Sequence, residues 1–178
     1  MFMRMYAKMW LGALVCGCLV AGSGSVACSQ EVTAQTIIDR AQIQDLITRY
    51  YNNFGREKAE NFADFYAEDA ELILGTRSFK GRDGILAAYG LTPGQPPRPP
   101  RQSYSFIVTV SNPLIVVHGG TATAQLVYTE YVIDKQGEAP RVTTQGKEYS
   151  SFVKVKGRWL YKTRQIVGGA EPPQGWKE

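Results

Sequence analysis

The sequence predicts a single α+β domain whose helices pack on one face of a strongly curved antiparallel sheet. Three observations predict it. Helical periodicity follows directly on residue 33, β-type runs joined by short turns fill the second half of the chain, and no internal repeat breaks that order. Of the 178 residues, an export segment takes the first part and leaves about 150, the size of one domain with one hydrophobic core.

The elements follow in order. Ile43, Leu46, Ile47, Tyr50, Tyr51 and Phe54 recur at spacings of three and four, which gives a first amphipathic helix ended by Gly55. Lys58 to Ala67 reads as a shorter helix with Phe62, Phe65 and Tyr66 inward, Ala70 to Gly75 as a strand, and Arg82 to Tyr89 as a third helix stopped by Gly90. Leu91 to Arg101 carries five prolines, which lack a donor and fix φ, so it is a stiff loop rather than helix or central strand. Four β runs come next: Ser103 to Ser111, Leu114 to Val117 leading into Thr121 to Ile133, Val142 to Val155, and Arg158 to Val167. His118-Gly119-Gly120, Lys135-Gln136-Gly137 and Lys156-Gly157 supply the turns. Residues 28–35 read as a linker, 36–170 as the domain, and 171–178 as a loose polar tail.

The N-terminus has the three parts of an export signal. Arg4 and Lys8 precede an apolar run from Met9 to Ala21, and small residues end in Ser25-Val26-Ala27 before Cys28, so residues 1–27 are expected to leave as a signal peptide. The apolar run is too short for a comfortable membrane span. The expected location is the bacterial periplasm or the exterior. Ser-Val-Ala-Cys resembles a lipobox, and two fates are open for Cys28: acylation as a lipid anchor, or a free N-terminal thiol after ordinary cleavage. Since Cys16 and Cys18 lie in the leader, no disulfide can form within the mature chain.

With 44% apolar and 20% charged residues the composition is globular, and the net charge of +4 falls to +2 once Arg4 and Lys8 leave. The remaining basic residues alternate with acidic ones and form no stripe, so nucleic acid is not an expected partner. No CxxC, HExxH, glycine-rich phosphate loop or GxSxG elbow is present, so metal, nucleotide and serine-hydrolase chemistry find no support and no cofactor is expected.

Three stretches together resemble the SnoaL-like branch of the nuclear transport factor 2-like superfamily, whose members include ketosteroid isomerase and scytalone dehydratase. They are Ile43-Gln44-Asp45-Leu46-Ile47-Thr48-Arg49-Tyr50; then Phe65-Tyr66-Ala67-Glu68-Asp69-Ala70 with Phe79-Lys80-Gly81-Arg82; and Asn112-Pro113 through Thr121-Ala122-Thr123-Ala124 to Gly157-Arg158-Trp159. The resemblance implies a cone in which three helices close a bent sheet around a small apolar ligand, with a homodimer formed through the convex face. It does not carry over the relatives' catalytic groups. Tyr50 matches the tyrosine that polarises a carbonyl in the isomerases, but Leu74 stands where their aspartate removes a proton. Gly55 and Val108 stand where the dehydratases and dehydrochlorinases place an aspartate and a histidine. The one histidine, His118, lies in a glycine turn.

If Val108 faces inward as the resemblance implies, alternation places Tyr104 and Phe106 with it. Tyr128 and Glu130 share a face with Ala122, Ala124 and Leu126, and Glu148 shares one with Ser150 and Phe152. The candidate ligand site is therefore Tyr50, Leu74, Tyr104, Phe106, Tyr128, Glu130 and Glu148. The alternative places Glu130 and Glu148 in water at strand ends. Trp159 reads as structural, and Arg164 as either a surface charge or the partner of a strand neighbour. The leading functional reading is an exported domain that binds a small hydrophobic ligand. The other readings are an isomerase, lyase or hydrolase on an apolar substrate, using Glu130 or Glu148 with Tyr50, and a structural role.

Overall fold

A computed structural model describes residues 30–54, 62–92, 94–96, 105–169 and 172–176. The expected leader, Cys28, Gly55 and Tyr104 lie outside the described residues, as do most of the proline-rich loop and the first part of the expected second helix.

Helix α1 runs Ala34–Asn52. It begins at Thr33 because Thr33 and Thr36 cap each other: the Thr33 hydroxyl oxygen accepts the Thr36 N–H at 3.1 Å and the Thr36 hydroxyl oxygen accepts the Thr33 N–H at 2.8 Å. Its buried face is Asp39, Ile43, Ile47, Tyr50 and Tyr51. Strands β1 (Tyr66–Leu74) and β2 (Arg77–Lys80) form a hairpin, and helix α2 (Gly81–Ala88) follows. Strands β3 (Ser105–His118), β4 (Thr121–Ile133), β5 (Arg141–Val155) and β6 (Arg158–Val167) make the long meander. The sheet order is β2-β1-β6-β5-β4-β3.

Two expectations need correction. The expected second helix ends earlier than its sequence range: residues 58–61 lie outside the described residues, Phe62 is helical, Ala63–Phe65 is a 3-10 turn, and Tyr66 and Ala67 already belong to β1. The reason is tertiary. Tyr66 pairs with Tyr161 of β6, and the inward series Ala70, Leu72, Leu74 has the strand period of two. The sheet is also not purely antiparallel, because β1 pairs parallel to β6 and so joins the first strand of the chain to the last.

Bulges bend the sheet. Across Asn112-Pro113, where Asn112 takes φ 51°, β3 gains one residue on β4, which merges the two expected runs into one strand. Similar register shifts lie between Glu130 and Tyr131 on β4 and between Ser151 and Phe152 on β5. The concave face holds the core, with Ala122, Ala124 and Leu126 on β4 and Phe152 on β5. Tyr50 stands at its centre, its ring 5.2–6.0 Å from those of Tyr51, Phe54, Phe62, Phe65, Tyr66 and Tyr161. Gly146 has to be glycine because a Cβ would lie 2.7 Å from both the Tyr128 hydroxyl and the Val167 carbonyl.

A second anchor fixes α1. Asp39 is 3% exposed and accepts from Lys154 Nζ at 2.6 Å, Trp159 Nε1 at 3.0 Å and Gln35 Nε2 at 2.9 Å. These bonds, that from Lys154 foremost, hold its carboxyl below the usual carboxylate range. Trp159 is structural, as its sequence context suggests. In the tail, Trp176 lies edge-on against Tyr149 with ring centroids 5.0 Å apart, on the outer face of β5.

Candidate functional site

Position 164 is the key to the interior. On β6 the register shift opposite Ser151 and Phe152 changes the parity of the strand, so Trp159, Tyr161 and Arg164 all turn to the concave side although they are not evenly spaced. Arg164 lies across from Ser150 on β5 and Leu72 on β1, and is 3% exposed. Glu148, two residues before Ser150 and fully buried, accepts from Arg164 Nε at 2.7 Å. The alternative of a strand-end carboxylate in water does not hold for Glu148.

The pair is enclosed by hydroxyls. Tyr51 donates to Glu148 Oε2, and Ser150 Oγ donates to Oε1 at 2.7 Å. Arg164 Nη2 donates to the Tyr51 hydroxyl at 2.8 Å, and Nη1 donates to the hydroxyls of Tyr50 and Tyr89 at 2.8 Å each. The guanidinium carbon lies 4.4 Å from the Tyr50 ring centroid, adding a cation–π contact. Helix α1 supplies Tyr50 and Tyr51, one turn past Ile47. Tyr89 is placed by the end of α2, where Gly90, in the left-handed region at φ 67°, lets its N–H reach the Ala87 carbonyl at 3.0 Å and the Leu91 N–H reach the Leu86 carbonyl at 2.9 Å.

Burial governs the electrostatics. It pushes the Tyr50, Tyr51 and Tyr161 hydroxyls well above the ordinary phenol, since a phenolate there would be desolvated, and the nearby Arg164 charge only partly offsets this. For Arg164 burial acts downward, but the Glu148 carboxylate and the phenol oxygens outweigh it, so the guanidinium holds its proton more tightly than in water.

Counting donors shows what the cluster can offer. Glu148 takes the Tyr51 proton. The Tyr50 and Tyr89 hydroxyls share one hydrogen bond at 2.9 Å, and Arg164 can only donate. Two phenolic protons therefore meet one bond; the second O–H has no acceptor at full hydrogen-bond distance among the described residues, the buried Tyr66 hydroxyl beside Tyr50 being its nearest alternative. Tyr50 is fully buried whereas Tyr89 is half-buried, its ring 5.9 Å from Phe54 and 4.7 Å from Phe62. An unspent donor in an aromatic surround suits an acceptor oxygen on an apolar molecule.

The other candidates line the same concave face without joining the cluster. Leu74 is half-buried beside Ile166, Phe106 is half-buried with its ring 5.8 Å from Phe54, and Tyr128 lies over Gly146. Glu130 is half-buried opposite Thr144, four residues along β4 from the Leu126–Glu148 pair, or roughly 13 Å at strand rise. The two glutamates are not a coupled pair. Tyr89, and Tyr51 and Ser150 as partners of Glu148, were not among the sequence candidates. The tyrosines read as core or helix-end residues, and nothing in their spacing marks a polar role. Among the described residues no three His, Cys, Asp or Glu converge as metal ligands would.

A curved six-stranded sheet closed by helices around a buried polar cluster defines a cystatin-like fold of the nuclear transport factor 2 type. The chain belongs to the SnoaL-like domain family, whose family model matches residues 35–165. Such a domain binds or converts small molecules. The fold is shared with a nuclear transport factor 2-like protein from Novosphingobium aromaticivorans, at 20% identity over 78% of this chain and 87% of that one, with a TM-score of 0.60. A putative scytalone dehydratase from the same organism is 18% identical over 83% of this chain and all of that one, with a TM-score of 0.62. A hexachlorocyclohexane dehydrochlorinase from Novosphingobium barchaimii is 18% identical over 79% of this chain and 94% of that one, with a TM-score of 0.56. No curated protein matches the chain in sequence.

Proposed function

We propose that the chain is an exported SnoaL-like domain that binds a small apolar molecule bearing an acceptor oxygen, such as a ketone or quinone, against the Tyr50–Tyr89 hydroxyl pair. The surplus phenolic proton carries this reading. Arg164 donates to both phenol oxygens and so makes the remaining O–H a stronger donor. Phe54 and Phe62, with Phe106 beside Phe54, offer aromatic surface to the rest of the ligand.

The geometry favours binding over proton abstraction by Glu148. That carboxylate already accepts from Arg164, Tyr51 and Ser150, and a base needs a free lone pair within reach of the proton. In the catalytic reading the acid-base group would be Glu130, beside Tyr128. Export rests on the three-part leader of residues 1–27, and a lipid anchor on Cys28. A homodimer gains support from Ile107, Leu114 and Val142, which are exposed on the convex face.

The test compares two matched probes, 2-acetylnaphthalene and 2-ethylnaphthalene, by fluorescence titration. The ketone is expected to bind about tenfold more tightly, the worth of one good hydrogen bond, and Tyr89→Phe is expected to erase that preference while keeping the hydrocarbon's affinity. Equal affinities for the two probes would remove the basis of the reading.

A further inference from the structure

We propose that the first two turns of α1 are a contact for the surface of a lipid bilayer, with Val32, Ile37 and Ile38 seated among the acyl chains just below the headgroups. These side chains are 69%, 54% and 50% exposed. At 100° per residue Ala34, Ile37, Ile38 and Ala41 form one stripe on the side of the helix opposite Ile43 and Ile47, and all four are exposed. The stripe is confined to the end of the helix nearest the leader, because beyond Ala41 the same side carries Asp45, Thr48 and Arg49. Packing within the domain does not require it, since α1 already buries the opposite face.

What covers the stripe follows from the chain that precedes it. The lipobox-like Cys28 lies directly N-terminal, and only three residues separate it from Val32, at most about 14 Å of extended chain. An acyl chain on Cys28 would bring the stripe down on the bilayer, so the inference shares its premise with the export reading. Glu31 and Arg40, the exposed charges beside the stripe, cancel, so the contact is apolar and should not depend on anionic lipid.

The experiment separates the stripe from the anchor. The Cys28→Ser chain, exported and processed by a bacterial host, is sedimented with phosphatidylcholine vesicles and with vesicles containing phosphatidylglycerol. Binding to both is expected, and Ile37→Ser with Ile38→Ser should weaken it about tenfold or more. The sheet substitution Val142→Ser should leave it unchanged. Circular dichroism melts verify that the variants stay folded. Absence of vesicle binding by the Cys28→Ser chain would overturn the proposal, as would a concentration-dependent dimer in lipid-free buffer that the same isoleucine substitutions dissolve. The intact mass of the unsubstituted protein reports separately on acylation, so failure of the anchor and failure of the stripe can be told apart.

Discussion

Glu148 and Arg164 face each other diagonally across β5 and β6, with Nε 2.7 Å from Oε2 and side-chain exposures of 0% and 4%. Each charge is tolerated in the core because the other is there. Arg164→Met should therefore destabilise the fold by about 3–5 kcal/mol, since it leaves a carboxylate buried without its cation. Adding Glu148→Leu should return most of that loss. Urea unfolding of both single variants and the double variant measures the coupling, and simple additivity would contradict it.

Two buried tyrosines should respond in opposite ways to loss of the hydroxyl. Tyr51 binds both members of the ion pair, so Tyr51→Phe should cost about 1–3 kcal/mol. The Tyr161 hydroxyl is buried with no hydrogen-bond partner among the described residues, so Tyr161→Phe should be neutral or stabilising. Thermal melts of the pair decide, and a larger loss at Tyr161 would show a hidden partner.

Alkaline pH should weaken the fold through the buried phenols. Burial raises Tyr50, Tyr51 and Tyr161 above the ordinary value of 10.0, whereas the unfolded chain ionises near that value. Their contribution is complete below pH 10 and declines above it, because only the unfolded state releases protons there. Absorbance at the phenolate band should show exposed tyrosines ionising first and the buried ones ionising together with loss of near-ultraviolet dichroism.

Acid should release α1 by the opposite sign. Asp39 is held below its ordinary 3.8 by Lys154, Gln35 and Trp159, so the contribution of its carboxylate is present above pH 3.8 and lost as pH falls through the lowered folded value. Asp39→Asn should destabilise at neutral pH and flatten part of the acid limb of the stability curve. An unchanged acid limb would place the proton-linked loss in other carboxylates.

The elements of the second half were legible because alternation and glycine turns are local signals: β4 and β6 fall on Thr121–Ile133 and Arg158–Val167 as their sequences predict. The second helix was misread at Tyr66 because Phe62, Phe65 and Tyr66 fit a helical spacing, while their strand pairing depends on β6, far away in sequence. Tyr50 lies on the face that helical spacing marks, and alternation groups Tyr128 with Leu126 and Glu148 with Ser150, whereas Leu74 and Phe106 entered through the family resemblance. The partner of Glu148 could not be read, since the register shift on β6 changes the parity that would have placed Arg164. The role of Tyr89 depends on a helix-end geometry that shows itself only as Gly90.

The parallel union of β1 with β6 also dictates an order of events. Tyr50 and Arg164 are 114 residues apart in the chain, and the strand that carries Arg164 is the last to be made. A chain emerging N-terminus first can form α1 and the β1–β2 hairpin, but it cannot assemble the tyrosine–arginine centre until almost every residue has arrived. Such high contact order slows folding. Were the chain exported as proposed, late assembly of this centre would keep it open during passage across the membrane.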